Sequence, residues 1–277
     1  MKSNIRIAIL DLYDGTANEG MRCIKQLVNE FTEDVHLPVA CKIFDVRGKA
    51  EVPGLDYDIY ISTGGPGSPL DSVGSEWEHK YFELIDDLKA YNEAHHDKGK
   101  HLLLICHSFQ IFCRHYGYAT VSERRKMSFG VMPVHKTTEG HHDPLLRSLG
   151  DPFWGVDSRE YQILDPDFKK IEESGAKILC IEKFRPHVHF ERAIMGIRFN
   201  EFMIGLQFHP EADSEGMKMY FQQEDKKELV IAKHGEKKFR EMIDHLDDPD
   251  KILATYHTII PRFLAIGAQA QLKAIAQ

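Results

Sequence analysis

Three residues at two places in the chain, Cys106, His209 and Glu211, are of the types that carry out nucleophilic catalysis. A cysteine nucleophile needs a base that takes its proton and a third group that holds this base in the correct tautomer. His209 and Glu211 are two residues apart, so beyond the end of a strand their side chains can project to the same side. The alternative interpretation is a buried structural cysteine and a solvated loop.

The position of Cys106 between two patterns favours the catalytic interpretation. Residues 102–105 form a short apolar run, which predicts a strand buried on both faces of a parallel sheet. From Phe109 to Tyr116 the apolar residues recur at helical spacing, and Gly117 stands where a helix would end. A nucleophile on such a strand-to-helix turn is exposed at the carboxyl edge of the sheet. The helix N-terminus behind it favours a thiolate.

A second loop is expected at the same edge. Residues 63–69, ThrGlyGlyProGlySerPro, follow a predicted strand and are too rich in Gly and Pro to form anything but a tight turn or nest. In a sheet of parallel strands the ligand site lies at the carboxyl ends. The glycine loop (residues 63–69), Cys106 and the His-x-Glu pair all fall at such ends.

The elements around these sites predict an α/β protein with a mostly parallel open sheet and helices on both faces. The predicted strands of this part are residues 5–12, 39–45, 57–62 and 102–105, and the predicted helices are 18–31, 76–95 and the segment after Cys106. Shorter β-rich segments predict a small antiparallel extension at 129–136, 152–156, 177–184, 193–199 and 202–208, with a hairpin turn at 200–201. From residue 214 onward only helical patterns are predicted, at 215–223, 236–246 and 249–274, the last interrupted by Pro261. The last two form a C-terminal helical extension. We expect one domain over residues 1–225 and an added helical segment over 226–277.

Composition limits the class of protein. With 277 residues, 42% hydrophobic and 28% charged, the chain can bury one large core. A formal net charge of −8 argues against a nucleic-acid-binding surface, and the N-terminal apolar run is too short for a signal sequence or a membrane span. We therefore expect a cytoplasmic protein that binds neither nucleic acid nor membrane.

Cysteine and histidine spacing does not indicate a metal site. Five cysteines without a CxxC pair argue against a disulfide framework and a zinc knuckle. His187 and His189 would share one strand face, but no third ligand stands at a supporting spacing. We assign no metal and no cofactor.

Three motifs resemble the class I glutamine amidotransferases, over roughly residues 5–225. They are GlyGlyProGlySerPro at 64–69, IleCysHisSerPheGln at 105–110 and GlnPheHisProGlu at 207–211, in the order of that family. The resemblance implies a flavodoxin-like α/β domain, similar to the glutaminase of GMP synthase. It also implies release of ammonia from glutamine or a γ-glutamyl amide through a cysteine thioester.

The resemblance also implies roles for single residues. Cys106 would be the nucleophile, His209 the general base and acid, and Glu211 its orienter. The backbone N–H groups of Gly65 and His107 would stabilise the oxyanion, and Gly67 and Gln110 would help to hold the glutamine substrate. No synthetase domain is visible in the chain, so a synthetase partner in trans, a free-standing hydrolase and a homodimer all stay open.

The sequence departs from the family beside the nucleophile. The family has glycine two residues before and two residues after the cysteine, where this chain has Leu104 and Ser108. Small residues there let strand and helix approach closely. The homoserine O-acyltransferases tolerate other residues at both places and use the same Cys/His/Glu set. An enzyme of that kind and a catalytically degenerate binding module are therefore the alternatives.

Overall fold

The first half of the chain alternates strands with helices, because short branched apolar runs alternate with amphipathic segments. The computed structural model describes residues 4–16, 18–184, 186, 191–222, 224–248 and 251–269. Its first elements are β1 (Ile5–Asp11), α1 (Glu19–Asp34), β2 (Val39–Asp45), α2 (Val46–Lys49), β3 (Ile59–Ser62), α3 (Glu76–Ala94), β4 (His101–Ile105) and α4 (His107–Tyr116). The predicted strands and helices of this half are confirmed, and the short helix α2 is additional.

The second half adds β5 (Ala119–Lys136), α5 (Thr138–His142), β6 (Phe153–Pro166), α6 (Phe168–Ser174), β7 (Lys177–Glu182), β8 (Ile194–Arg198) and β9 (Met203–Leu206). All nine strands form one mixed sheet in the order β2-β1-β3-β4-β9-β8-β7-β5-β6. The first five strands in this order are parallel, and the remaining pairings are antiparallel. The predicted α/β class and the predicted β8–β9 hairpin are confirmed. The carboxyl ends of β3, β4 and β9 lie side by side at one edge.

The antiparallel part differs from the prediction in two ways. The segment predicted at 202–208 pairs antiparallel with β8 but parallel with β4, so it joins the two halves of the sheet. The other difference is the length of the strands. The segments predicted at 129–136 and 152–156 are portions of β5 and β6, which pair along most of their lengths. The first half of β5 contains the run SerGluArgArgLys, which has no apolar alternation. Its pairing with β6 has a register shift between Glu123 and Ser128, so a two-residue period could not reveal it.

Two apolar clusters cover the two faces of the sheet, because successive side chains of a strand point to opposite faces. Ile5, Ile7 and Ile9 of β1 pack on the face that α1 covers. Ala8 and Leu10 pack on the opposite face, which α3 and α4 cover. Helices on both faces are therefore confirmed.

The C-terminal helices pack onto this domain. They are α7 (Ser214–Gln222), α8 (Glu224–His234), α9 (Glu236–Asp247), α10 (Ile252–Tyr256) and α11 (Ile259–Gly267). Helix α11 buries Ile259, Ile260, Phe263 and Leu264 in the core cluster of α1 and β1. Met242 of α9 joins a third cluster with Phe129 of β5.

Three details of this region go beyond the prediction. Helix α8 was not predicted as a separate element, and it runs across the expected boundary between residues 225 and 226. The prediction that Pro261 interrupts the last helix is wrong, because the break lies at residues 257–258 between α10 and α11. Pro261 lies in the first turn of α11, where a missing N–H removes no intrahelical hydrogen bond. The division of the chain at that boundary stays a prediction.

Candidate active site

Cys106 occupies a strained turn between β4 and α4. Its φ is 50° and its ψ is −100°, a conformation that residues other than glycine rarely adopt. Its N–H donates to the carbonyl of Leu206 at 2.8 Å, and its carbonyl accepts from the N–H of Gln110 at 3.0 Å. Helix α4 ends at Gly117, which has a φ of 68°. Both ends of the predicted strand-turn-helix unit are thus where the sequence places them.

Ser108 fits the turn in place of the family's glycine. Its hydroxyl accepts from the N–H of Ile105 at 2.8 Å and lies 3.0 Å from the carbonyls of Ser62 and Ile105, either of which can accept its proton. The side chain is fully buried. These bonds satisfy the backbone at the end of β4 and tie it to the end of β3.

The glycine that lets strand and helix approach is found on the neighbouring strand. Leu104 is fully buried, and its register partner on β9 is Gly205. A Cβ at Gly205 would lie 2.1 Å from Cδ2 of Phe109, a ring on α4. The ring therefore occupies the space over Gly205. The departure at Leu104 is compatible with a tight turn, because Gly205 provides the close approach.

His209 and Glu211 form a hydrogen-bonded pair beyond the end of β9. His209 Nδ1 and Glu211 Oε1 are 2.8 Å apart, and Glu211 is fully buried. The N–H of His209 donates to the carbonyl of Val156 at 2.8 Å, which fixes this segment against β6.

The electrostatics of the pair favour a charged imidazole. Burial lowers the pKa of His209, but the charges of Glu211 and Cys106 and the hydrogen bond with Glu211 raise it well above its usual range. The proton therefore resides on His209 near neutral pH. A His–Glu pair beside a sulfur is the arrangement in which a base can activate a cysteine nucleophile.

The glycine loop lies directly against these residues. A Cβ at Gly64 would lie 3.0 Å from Cε1 of His209 and 3.6 Å from Cβ of Cys106. A Cβ at Gly65 would lie 2.4 Å from the carbonyl oxygen of Leu12. Gly65 therefore has no room for a side chain, and a side chain at Gly64 would press on the His209 ring. The three predicted strand ends converge at one place.

Two arginines that sequence reasoning missed hold the glycine loop from either side. Arg47 donates to the carbonyl of Pro66 at 2.7 Å, and Arg114 of α4 donates to the carbonyl of Pro69 and to Glu78. Gly67, with a φ of 83°, lies between the two attachment points. The loop is anchored to α2 and to the helix of the nucleophile, so its position relative to Cys106 is fixed.

His107 has a buried neutral side chain. Burial, with the charges of Arg47 and Arg114, lowers the pKa of His107 to about 3. Its Nε2 atom has no hydrogen-bond partner among the described residues. The oxyanion-stabilising role that the resemblance implies for His107 belongs to its backbone N–H and not to its side chain. This N–H is at the first position of α4, where N–H groups have no partner within the helix.

Gln110 points toward other protein groups. Its Nε2 donates to Oε1 of Gln207 at 3.1 Å and to the carbonyl of Tyr161 at 3.3 Å. Gln207 donates in turn to Sγ of Cys106 at 3.6 Å. The structure thus links Gln110 to the sulfur through Gln207. The substrate-binding roles of Gln110 and Gly67 stay predictions.

The described part of the chain shows neither a cluster of metal-ligating side chains nor a membrane-spanning helix. Within it, no group of three His, Cys, Asp or Glu residues is arranged to hold a metal ion. His187 and His189 lie outside that part. No helix in the described ranges is long and apolar enough to cross a membrane.

The fold and the site define an α/β protein with a cysteine at a nucleophile turn, faced by a His–Glu pair and a glycine loop. The family described as Glutamine amidotransferase class-I matches residues 23–227, which is more than half of the chain. The protein belongs to the class I glutamine amidotransferase family. No curated protein matches the sequence.

Solved structures show the same fold at low sequence identity. A glutamine amidotransferase from Thermotoga maritima is 15% identical with a TM-score of 0.64, covering 96% of this chain and 98% of the other. One from Methylobacillus flagellatus is 15% identical with a TM-score of 0.61, covering 99% of this chain and 95% of the other. The CTPS glutaminase domain of Trypanosoma brucei with bound acivicin is 15% identical with a TM-score of 0.53, covering 77% of this chain and 88% of the other. The match to the Methylobacillus protein includes the C-terminal helices, because it covers nearly the whole chain.

Proposed function

We propose that the protein is a glutamine amidotransferase of the glutaminase type, which releases ammonia from glutamine or a γ-glutamyl amide through a thioester on Cys106. The observation that carries this proposal is the convergence of three elements: the strained Cys106 turn, the His209–Glu211 pair and the glycine loop. Family membership makes the carboxamide of glutamine the first substrate to test.

Acylation begins from the thiolate of Cys106 and the protonated imidazole of His209. The thiolate of Cys106 attacks the carboxamide carbon, and the C–S bond forms as the carbonyl π electrons move to oxygen. The N–H groups of Gly65 and His107 are the proposed oxyanion donors, and one such donor contributes about 10²–10³ in rate. The tetrahedral intermediate then collapses, the C–N bond breaks, and His209 gives its proton to the leaving nitrogen, which departs as ammonia.

Hydrolysis of the thioester uses the same groups in reverse. Neutral His209 accepts a proton from water as the water oxygen attacks the acyl carbon. The C–S bond then breaks, glutamate leaves, and the thiolate and imidazolium are restored. Glu211, buried and bonded to Nδ1, keeps Nε2 of His209 as the atom that exchanges protons.

The fate of the ammonia extends this proposal to partners. Amidotransferase domains often act with a synthetase, so a synthetase subunit in trans is the proposed acceptor, and a homodimer is the second arrangement to examine. Light scattering of the purified protein, with and without a candidate synthetase, distinguishes a monomer, a homodimer and a heteromeric complex.

The test of the function is ammonia release from glutamine by the wild type and by two variants. Cys106→Ala removes the nucleophile, and Cys41→Ser removes an exposed free thiol as the matched control. We expect ammonia release by the wild type and by Cys41→Ser and none by Cys106→Ala. Full activity of Cys106→Ala contradicts the proposal. A burst with an acyl-CoA in place of ammonia favours the acyltransferase alternative, and inactivity toward both substrates favours a binding module.

A further inference from the structure

We propose that Gln207 is a further catalytic residue, whose side-chain amide donates a hydrogen bond to the sulfur of Cys106 and stabilises its thiolate. The inference deepens the proposed function and rests on Cys106 as the nucleophile. It gives a chemical task to the first residue of the GlnPheHisProGlu segment, in addition to the tasks of His209 and Glu211.

Gln207 is held so that its side-chain nitrogen donates to the sulfur of Cys106. The residue is fully buried directly after β9, and Nε2 lies 3.6 Å from Sγ of Cys106. Its backbone N–H donates to the carbonyl of Met195 at 2.9 Å, so the segment that carries it is fixed to β8. A long N–H···S contact of this kind is normal because sulfur is a large atom. A thiolate accepts such a bond more strongly than a thiol does.

A second glutamine fixes which end of the Gln207 amide faces the sulfur. Oε1 of Gln207 accepts from Nε2 of Gln110 at 3.1 Å, and this nitrogen also donates to the carbonyl of Tyr161. Rotating the Gln207 amide by half a turn would set its NH₂ against another NH₂ and its oxygen against the sulfur. The contact between the two NH₂ groups would be repulsive, and so would the contact of the oxygen with a thiolate sulfur. Gln110 is therefore a positioning residue that acts on the sulfur through Gln207.

The hydrogen bond from the Gln207 amide to the sulfur of Cys106 acts at two steps of the reaction. Before attack, it holds the sulfur and offsets part of the cost of a charge in a buried site. When the C–S bond of the thioester breaks, the departing sulfur regains its electron pair and again accepts from Gln207. No proton is transferred in either case, so His209 keeps its own part as acid and base.

The test measures the alkylation of Cys106 by iodoacetamide across pH, with mass-spectrometric mapping of the labelled cysteine. Gln207→Met keeps the volume and removes the donor, and Gln207→Glu places an acceptor against the sulfur. Gln162→Met is the matched control, since Gln162 accepts a hydrogen bond from Arg124. We expect about tenfold slower alkylation at neutral pH for Gln207→Met, with the pH midpoint moved upward, and a larger change for Gln207→Glu. The control should match the wild type.

A variant at a second position keeps the inference testable if both Gln207 variants unfold. Gln110→Met does not touch the sulfur but frees the Gln207 amide to rotate, so we expect a smaller shift of the midpoint in the same direction. A wild-type alkylation profile in a folded Gln207→Met protein overturns the inference, and so does a wild-type profile in folded Gln110→Met if neither Gln207 variant folds.

The alkylation readout separates this inference from the proposed function. It needs no turnover of glutamine, so a wild type that releases no ammonia refutes the proposed substrate while the profile still reports on Gln207. If ammonia is released but the profile of folded Gln207→Met is unchanged, the function stands and the inference on Gln207 fails.

Discussion

Gly205→Ala is expected to disturb the nucleophile from the neighbouring strand. The new Cβ would lie 2.1 Å from Cδ2 of Phe109, whereas carbon atoms pack at about 3.5–4.0 Å. The ring or the strand must therefore move by about 1 Å or more. Phe109 is fully buried on α4, three residues after Cys106, so the displacement is transmitted to the turn.

The expected magnitude follows from overpacking of a closed core. Adding a methyl group to such a site costs roughly 1–3 kcal/mol of the free energy of unfolding. A misplacement of about 1 Å in an active site can reduce the rate about 10²-fold. We therefore expect a modest loss of stability together with a large loss of Cys106 reactivity.

The assay combines urea unfolding with the iodoacetamide reactivity of Cys106. Gly54→Ala is the matched control, because a Cβ there meets nothing within 4 Å. In a double-mutant cycle, Phe109→Ala should make Gly205→Ala cost less than it does alone. If Gly205→Ala keeps both the wild-type unfolding midpoint and the wild-type alkylation rate, the compensation of Leu104 by Gly205 is wrong.

Three further predictions concern the glycine loop, the C-terminal helices and acid stability. Arg47→Met, which removes one attachment of the glycine loop, should lower glutamine turnover about tenfold with an unchanged melting temperature, whereas Lys49→Met on the same helix should have wild-type turnover. Phe263→Ala should cost about 3–5 kcal/mol in urea unfolding, and Phe168→Ala, at a side chain 69% exposed, should cost almost nothing; equal costs would contradict the packing of α11 in the core. Burial, with a nearby arginine, lowers the pKa of His101 to about 4, so between its ordinary value and pH 4 the unfolded chain binds a proton that the folded protein does not. His101 should therefore lower stability by roughly 3 kcal/mol as the pH drops from 6.5 to 4, and His107, whose pKa is lowered to about 3, should lower it further over the same range. His101→Phe should make this part of the urea-midpoint profile less steep and leave the slope that His107 contributes.

Local patterns were enough to predict the elements that carry the site. The apolar run before Cys106, the helical spacing after it and Gly117 at its end depend on neighbours within a few residues, and the structure has the same strand, turn and helix. The parallel half of the sheet followed from the alternation of strands and helices. The meeting of the ends of β3 and β4 then followed from the topology that this alternation implies. The third end did not, because β9 follows a hairpin and not a helix, and its parallel pairing with β4 is seen only in the structure.

The contacts that the sequence did not reveal join residues far apart in the chain. Arg114 meets Pro69 across 45 positions, and Gln207 meets Cys106 across 101. Gly205 on β9 provides the space that the family's glycine would provide at position 104. This compensation depends on strand register, which a single sequence does not display. Such contacts are set by tertiary packing, so neither spacing nor composition could predict them.

The central claim is a covalent intermediate on Cys106, and mass spectrometry of protein quenched in acid during glutamine turnover tests it most directly. Acid protonates the catalytic groups and preserves thioesters, so the acyl-enzyme can be isolated and mapped. We expect one γ-glutamyl group on the peptide that contains Cys106, removed by hydroxylamine and missing in Cys106→Ala. Ammonia release without any adduct on this peptide, or with the adduct on another cysteine, would contradict a thioester intermediate on Cys106.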